Sequence, residues 1–232
     1  MFFPYYDPYY YLIIIGILLS LAASARVKST FAKYSRVRSM SGMTGAQVAE
    51  RILRNAGIYD VQIERVSGNL SDHYDPRTKV LRLSDSVYGQ SSVAAIGVAA
   101  HECGHAIQHQ NSYIPLTLRS ALVPVANFGS SLSLPLIIIG FSMGYVEFLI
   151  DLGILLFGAA VLFQIITLPV EFNASRRAVI KLGETGILMN DELRLSKKVL
   201  NAAALTYVAA AAASILQLLR LILLFRGGRN RD

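Results

Sequence analysis

The chain has 232 residues, 53% of them hydrophobic and only 16% charged, with a net charge of +7. That length would suit one medium soluble domain, but the apolar residues gather into uncharged runs near the roughly 20 residues a bilayer crossing needs. This distribution argues against a soluble helical protein, and a lone cysteine excludes an internal disulfide.

The first run, "YYYLIIIGILLSLAASA", spans Tyr9 to Ala25. No basic residue precedes it, and Arg26, Lys28, Lys33, Arg36 and Arg38 follow it. This is an anchor pattern rather than a secretory signal. Residues 1–25 are therefore expected to hold the first transmembrane helix.

Residues 26–118 are the long stretch able to fold in water, and they are expected to form a cytoplasmic α+β segment. "MTGAQVAERILRNAG" predicts a helix capped by Thr44, with Gln47 completing a capping box and Gly57 closing it. "YDVQIERV" alternates as a strand, and "NLSDHYDPRTKVLRLSD" predicts two short strands around Asp75-Pro76-Arg77. "SSVAAIGVAAHECGHAIQHQ" predicts a helix from Ser91 or Ser92 to about Asn111.

The second and third apolar runs, "SALVPVANFGSSLSLPLIIIGFSMGYV" and "LGILLFGAAVLFQIITLPV", predict a transmembrane hairpin over residues 119–170. A polar helical segment is expected over 171–198. The fourth run, with a basic tail, occupies 199–232 and is interrupted by Arg220, which can snorkel towards headgroups. Basic residues after the first run and between the third and fourth put those polar segments in the cytoplasm. The net charge is thus read as topology, and no nucleic-acid partner is expected. The basic tail, which four crossings would leave outside, leaves open whether the fourth run crosses fully.

Three of the four histidines lie in "VAAHECGHAIQHQN". Residues four apart on a helix share a face, with Cβ atoms about 5–6 Å apart. His101 and His105 can therefore aim imidazole nitrogens at one ion, a zinc accepting them at about 2.0–2.1 Å. Glu102 is rotated by about 100° and can reach a water without ligating the metal. This is the H-E-x-x-H arrangement of zinc peptidases. His109 continues the series but lies about 12 Å along the axis from His101, too far for the same tetrahedral ion. Cys103 points away, as a small packing residue. A catalytic zinc keeps three protein ligands and one open position. Glu171, at the end of the third run, is chemically suitable and returns to the same side of the membrane.

Together, "LSDHYDPRTKVLRLS", "VAAHECGHAIQH", "LPVEFNASRRA" and "LNAAALTYVAAA" resemble the YugP-type "putative neutral zinc metallopeptidase" family of bacterial membranes. The layout is also similar to HtpX-type membrane proteases, in which a membrane hairpin separates the H-E-x-x-H helix from a downstream glutamate ligand. The resemblance implies an α-helical polytopic membrane protein of about four spans with a small α+β, zincin-like (gluzincin-type) catalytic domain. It implies one catalytic Zn2+ on His101, His105 and Glu171, with Glu102 as base. The HtpX pattern has an aspartate four residues after the ligand glutamate, where this chain has Ser175. Asn173 and Ser175 are the candidates for supporting the ligands.

The expected chemistry is hydrolysis of a peptide bond in a peptide or protein substrate, with membrane proteins among the candidates, at the cytoplasmic face of a bacterial plasma membrane. Quality control of membrane proteins and peptide processing are the roles this fits. His73, Tyr74, Arg176 and Tyr207 are candidate oxyanion donors. "KVLRL" is read equally as a sheet edge that pairs with substrate or as plain sheet. The competing classes are a non-catalytic zinc-binding membrane adaptor and a transporter accessory.

Overall fold

The structure is a computed structural model that describes residues 7–226. In chain order it comprises α1 (Tyr10–Tyr34), α2 (Gly45–Asn55), β1 (Gln62–Val66), β2 (His73–Asp75), β3 (Val80–Ser84), α3 (Val93–Gln110), α4 (Ile114–Ser142), α5 (Glu147–Glu184) and α6 (Asn190–Arg226). The chain divides into two compact units. An apolar unit takes the residues up to Ala22, Leu118–Leu168 and those from Tyr207 on; a polar unit takes Ala23–Thr117 and Pro169–Thr206.

Four helices, α1, α4, α5 and α6, are long and apolar enough to cross a membrane. Their apolar runs do not end where the helices do. α1 continues to Tyr34, α5 runs through Val170 to Glu184, and α6 starts at Asn190. The expected boundaries at residues 25, 170 and 198 thus fall inside continuous helices. An intrahelical hydrogen-bond ladder is indifferent to a change from apolar to polar side chains, so nothing stops the helix there.

Within the apolar unit, α4 and α5 pack through glycines. A Cβ on Gly129 would lie 2.6 Å from the Leu156 carbonyl oxygen, and one on Gly153 would lie 2.7 Å from that of Ser133. Small residues allow this approach where apolar surroundings supply no hydrophobic drive. Arg220 does not stand alone: its Nε donates to Asp7 Oδ2 at 2.6 Å, and its Nη2 also meets that oxygen. Tyr145, in the turn between α4 and α5, donates to the Phe225 carbonyl at 2.5 Å. The start of α1, the α4–α5 turn and the end of α6 therefore gather at one end of the unit. The tail beyond Arg226 lies outside the described residues.

The polar unit is built on a core of α2, β3, α3 and the inward faces of α5 and α6, including Ile52, Leu81, Leu83, Ile96, Leu182 and Leu200. α2 starts at the expected capping box, Thr44 with Gln47. α3 starts from Ser92, whose Oγ accepts from Ala95 N at 3.2 Å. The three strands lie in the order β1-β3-β2, β1 parallel and β2 antiparallel to β3. β3 is central, with register pairs from Gln62↔Val80 to Val66↔Ser84 on one side and His73↔Arg82 to Asp75↔Val80 on the other. Its backbone groups are engaged on both sides, so "KVLRL" is not a free edge for a peptide; β1 and β2 are the edges.

Candidate metal centre

Eighteen residues of α3 carry His101 and His105 one turn apart, on a helix otherwise packed on nearly all sides. Gly104 lies between them on the face towards α5. A Cβ there would lie 2.5 Å from the Ala174 carbonyl oxygen. Only a residue without one lets α5 come this close, and Glu171 sits one turn before Ala174.

Glu171 is 2% exposed. Its Oε2 lies 3.3 Å from His101 Nε2 and 3.6 Å from His105 Nε2. The ligand atoms of all three residues lie within 4.8 Å of one another. Donors at about 2.0–2.1 Å from a tetrahedral ion are separated by about 3.3–3.4 Å, so the two Glu171–histidine distances lie near the edge length of a zinc coordination polyhedron. The two rings meet edge to face at 83°, centroids 4.8 Å apart.

The donor set passes a second test, tautomer by tautomer. Gln108 is fully buried. Its Nε2 donates to the Val170 carbonyl at 2.8 Å and to Asn173 Oδ1 at 3.0 Å. A carbonyl only accepts, so the amide orientation is fixed and Oε1 faces His105 Nδ1, at 3.0 Å. His105 must then carry its proton on Nδ1, leaving the Nε2 lone pair towards Glu171. Ser175 Oγ lies 3.1 Å from His101 Nδ1 and can impose the same tautomer there. Arg177 Nε donates to Asn173 Oδ1 at 2.7 Å and its guanidinium lies over the Tyr113 ring. Outer groups of this kind orient metal-binding imidazoles.

The electrostatics call for a cation. Burial presses His105 towards its neutral form, but the neighbouring carboxylates of Glu171 and Glu102 outweigh this and raise its pKa. A buried carboxylate facing two imidazoles thus holds either protons or a metal between them. Glu102 is 7% exposed, and burial raises its pKa; the two histidines pull the other way, while Glu171 and Asp72 add to the rise. Asp72, itself raised by burial, accepts from Ser84 N at 2.7 Å and Ser84 Oγ at 2.9 Å.

The surroundings of the remaining sequence candidates differ. His73 is exposed, its Nδ1 2.9 Å from the Ser71 carbonyl. Tyr74 Oη is 2.9 Å from His109 Nδ1, which occupies that histidine away from the centre. Arg176 is exposed on α5 beside Ser175, and Tyr207 belongs to the apolar unit. Cys103 is buried with its Sγ 3.6 Å from the Ala49 carbonyl, and burial pushes its thiol well up. Gln108 and Arg177 were not singled out in the sequence. The available signal for Gln108 was its place three residues after His105, on the same helix face.

Four bilayer-length helices, joined to a polar unit in which two histidines and a glutamate converge, define a membrane protein with a candidate zinc centre. The chain belongs to the family described as "Putative neutral zinc metallopeptidase", whose model matches residues 9–226. It is 51% identical over 222 residues, 96% of this chain and 98% of the relative, to "Putative membrane protease YugP" of Bacillus subtilis (strain 168). No solved structure matches it.

Proposed function

We propose that this protein is a membrane-embedded zinc endopeptidase of gluzincin type, with His101, His105 and Glu171 holding one zinc and Glu102 acting as general base. The observation that carries this reading is the convergence of two imidazole Nε2 atoms on one Glu171 oxygen, at 3.3 and 3.6 Å, beside the buried carboxyl of Glu102. When bound, zinc supplies Lewis acidity, lowering the pKa of water towards about 7 and polarising a carbonyl.

Glu102 takes a proton from the attacking water at a carboxylate oxygen and returns it to the leaving amine. Burial favours that step by making the carboxylate more basic. Gln108 and Ser175 keep the two rings in the tautomer that leaves Nε2 free. The basic residues flanking the spans favour a cytoplasmic site in a bacterial plasma membrane. Substrates are then peptides or proteins at that face, as in membrane protein quality control or peptide processing. A non-catalytic zinc adaptor would call for a fourth protein ligand; the cluster among the described residues has three, and Cys103 is turned to Ala49.

Replacing Glu102 with Gln removes the base but keeps its shape. Cleavage of a peptide substrate by the purified protein is expected to fall by about 10²–10⁴-fold while zinc content holds. A Gln variant that cleaves as fast as the parent sinks the mechanism. Glu171→Ala is expected to lower the metal-to-protein ratio, and an unchanged ratio removes Glu171 as a ligand.

A further inference from the structure

Arg177 stands beyond Glu171 on α5, about 9 Å further along the helix axis. Its hydrogen bond goes to Asn173 and to none of the three metal-facing side chains. Two amides nevertheless connect it to one of them.

A guanidinium only donates. The Asn173 atom that Arg177 Nε meets at 2.7 Å must therefore be the oxygen. The same oxygen accepts from Gln108 Nε2 at 3.0 Å, which holds the nitrogen end of the Gln108 amide on that side. Gln108 Oε1 is then left for His105 Nδ1, at 3.0 Å. Gln108 is fully buried, so these partners and not solvent set its orientation. Arg177 is itself held. It is half-buried, with its guanidinium 5.9 Å from the centroid of the Tyr113 ring, and Tyr113 N donates to the Gln108 carbonyl at 3.0 Å. The contacts thus leave α3 at the Gln108 side chain and return to it at the Gln108 backbone.

Removing the guanidinium opens a second arrangement. Asn173 can turn its amide and donate to Gln108 Oε1, while Gln108 turns and donates from Nε2 to His105 Nδ1. Only the Val170 carbonyl opposes this turn, and as part of α5 its oxygen has the helical ladder as a partner already. His105 would then carry its proton on Nε2, the atom 3.6 Å from Glu171 Oε2, where a metal would otherwise bind.

We propose that Arg177 is a positioning residue of the metal centre. By holding Asn173 Oδ1 towards Gln108, it selects the His105 tautomer whose Nε2 is free for zinc. The proposal rests on the reading of His101, His105 and Glu171 as a zinc site, and adds to it a residue that hydrogen-bonds to none of them.

The test measures zinc affinity of the full-length protein in neutral detergent, by competition with a chromogenic chelator. Arg177→Met keeps an apolar stem beside Tyr113 and removes the donor. It is expected to weaken zinc binding about tenfold, the low end for outer partners, because the effect passes through two amides. Arg177→Lys returns a cationic donor and should recover most of the loss. Gln108→Leu removes the link, so adding Arg177→Met to it should cost at most about twofold more, whereas a general loss of packing would multiply the two effects. Parent-like affinity in Arg177→Met, no recovery with Lys, or multiplied losses in the double variant each overturn the proposal. A second readout needs no metal. In the zinc-free protein with isotope-labelled histidine, at alkaline pH, the ring-nitrogen NMR shifts of His105 should place the proton on Nδ1 in the parent and on Nε2 in Arg177→Met. The same tautomer in both overturns the proposal. A parent that binds no zinc yet shows this change refutes the metal reading and leaves the positioning role standing.

Discussion

In the apolar unit, Leu18, Leu21, Phe128, Ile138 and Leu155 face outward, while glycines and one Arg–Asp pair sit between helices. In the polar unit the charged residues face outward, and Glu102, Gln108, Glu171 and Ser84 are inside. The difference teaches what each surrounding permits. Hydrocarbon offers no hydrogen bonds, so polar groups there are few and must find one another. Water solvates the outside of the polar unit freely, so a polar group inside costs desolvation and is favoured where it has partners. Gln108 has three such partners, and Ser84 has two hydrogen-bond contacts to Asp72.

The comparison is most easily broken at Arg220. Its side chain is 16% exposed and that of Asp7 13%. Arg220→Ala leaves Asp7 without its cation in apolar surroundings, and a loss of about 3–5 kcal/mol is expected. Thermal unfolding in detergent reads it. Replacing both partners with leucine should recover most of the loss, because the pair is held by mutual need and not by a net gain over apolar packing. A single variant with the parent's melting temperature would show that water reaches both groups.

The apolar unit was largely legible in the sequence, because hydropathy sums over a whole run and tolerates local error. Helix ends are a separate matter: α5 passes through Val170 without a break, since side-chain polarity leaves the backbone ladder intact. The centre was legible in part. The spacing of His101 and His105 is a property of one helix. Glu171 could be reached by asking which carboxylate a membrane hairpin returns to the same side. Gln108 could not be ranked above its neighbours, because its worth depends on the Val170 carbonyl and Asn173, more than sixty residues away. The central place of β3 was equally hidden: a strand's own residues do not say which neighbours pair with it.

Gln108 offers the next test, smaller and confined to the polar unit. Gln108→Leu fills the space but removes the acceptor on His105 Nδ1, freeing the ring to turn or change tautomer. A fall in zinc affinity of about 10–100-fold is expected, the range seen for such outer partners. Competition with a chromogenic chelator measures it. The control that sharpens the result is Gln108→Glu, which keeps an acceptor for His105 but gives up the amide's donation to the Val170 carbonyl. Zinc binding restored by Glu but not by Leu assigns the effect to the imidazole; equal losses assign it to packing between α3 and α5.

The smallest effect is expected at the entrance to α2. Thr44 Oγ1 accepts from Gln47 N at 3.4 Å, and Gln47 Oε1 accepts from Thr44 N at 2.9 Å. The Thr44 contact is long and exposed, so Thr44→Ala should cost about 0.5–1 kcal/mol, the lower part of the range for caps. The Gln47 side chain keeps its bond to the backbone of residue 44 whatever side chain stands there, which limits the loss further. α2 meets α3 at Cys103, on the side turned away from His101 and His105. Unfolding of the polar unit should therefore shift slightly while the zinc-to-protein ratio holds. If the ratio falls along with the melting temperature, α2 and the centre form one cooperative element, and the metal is reporting the stability of the whole unit and not the geometry of three side chains.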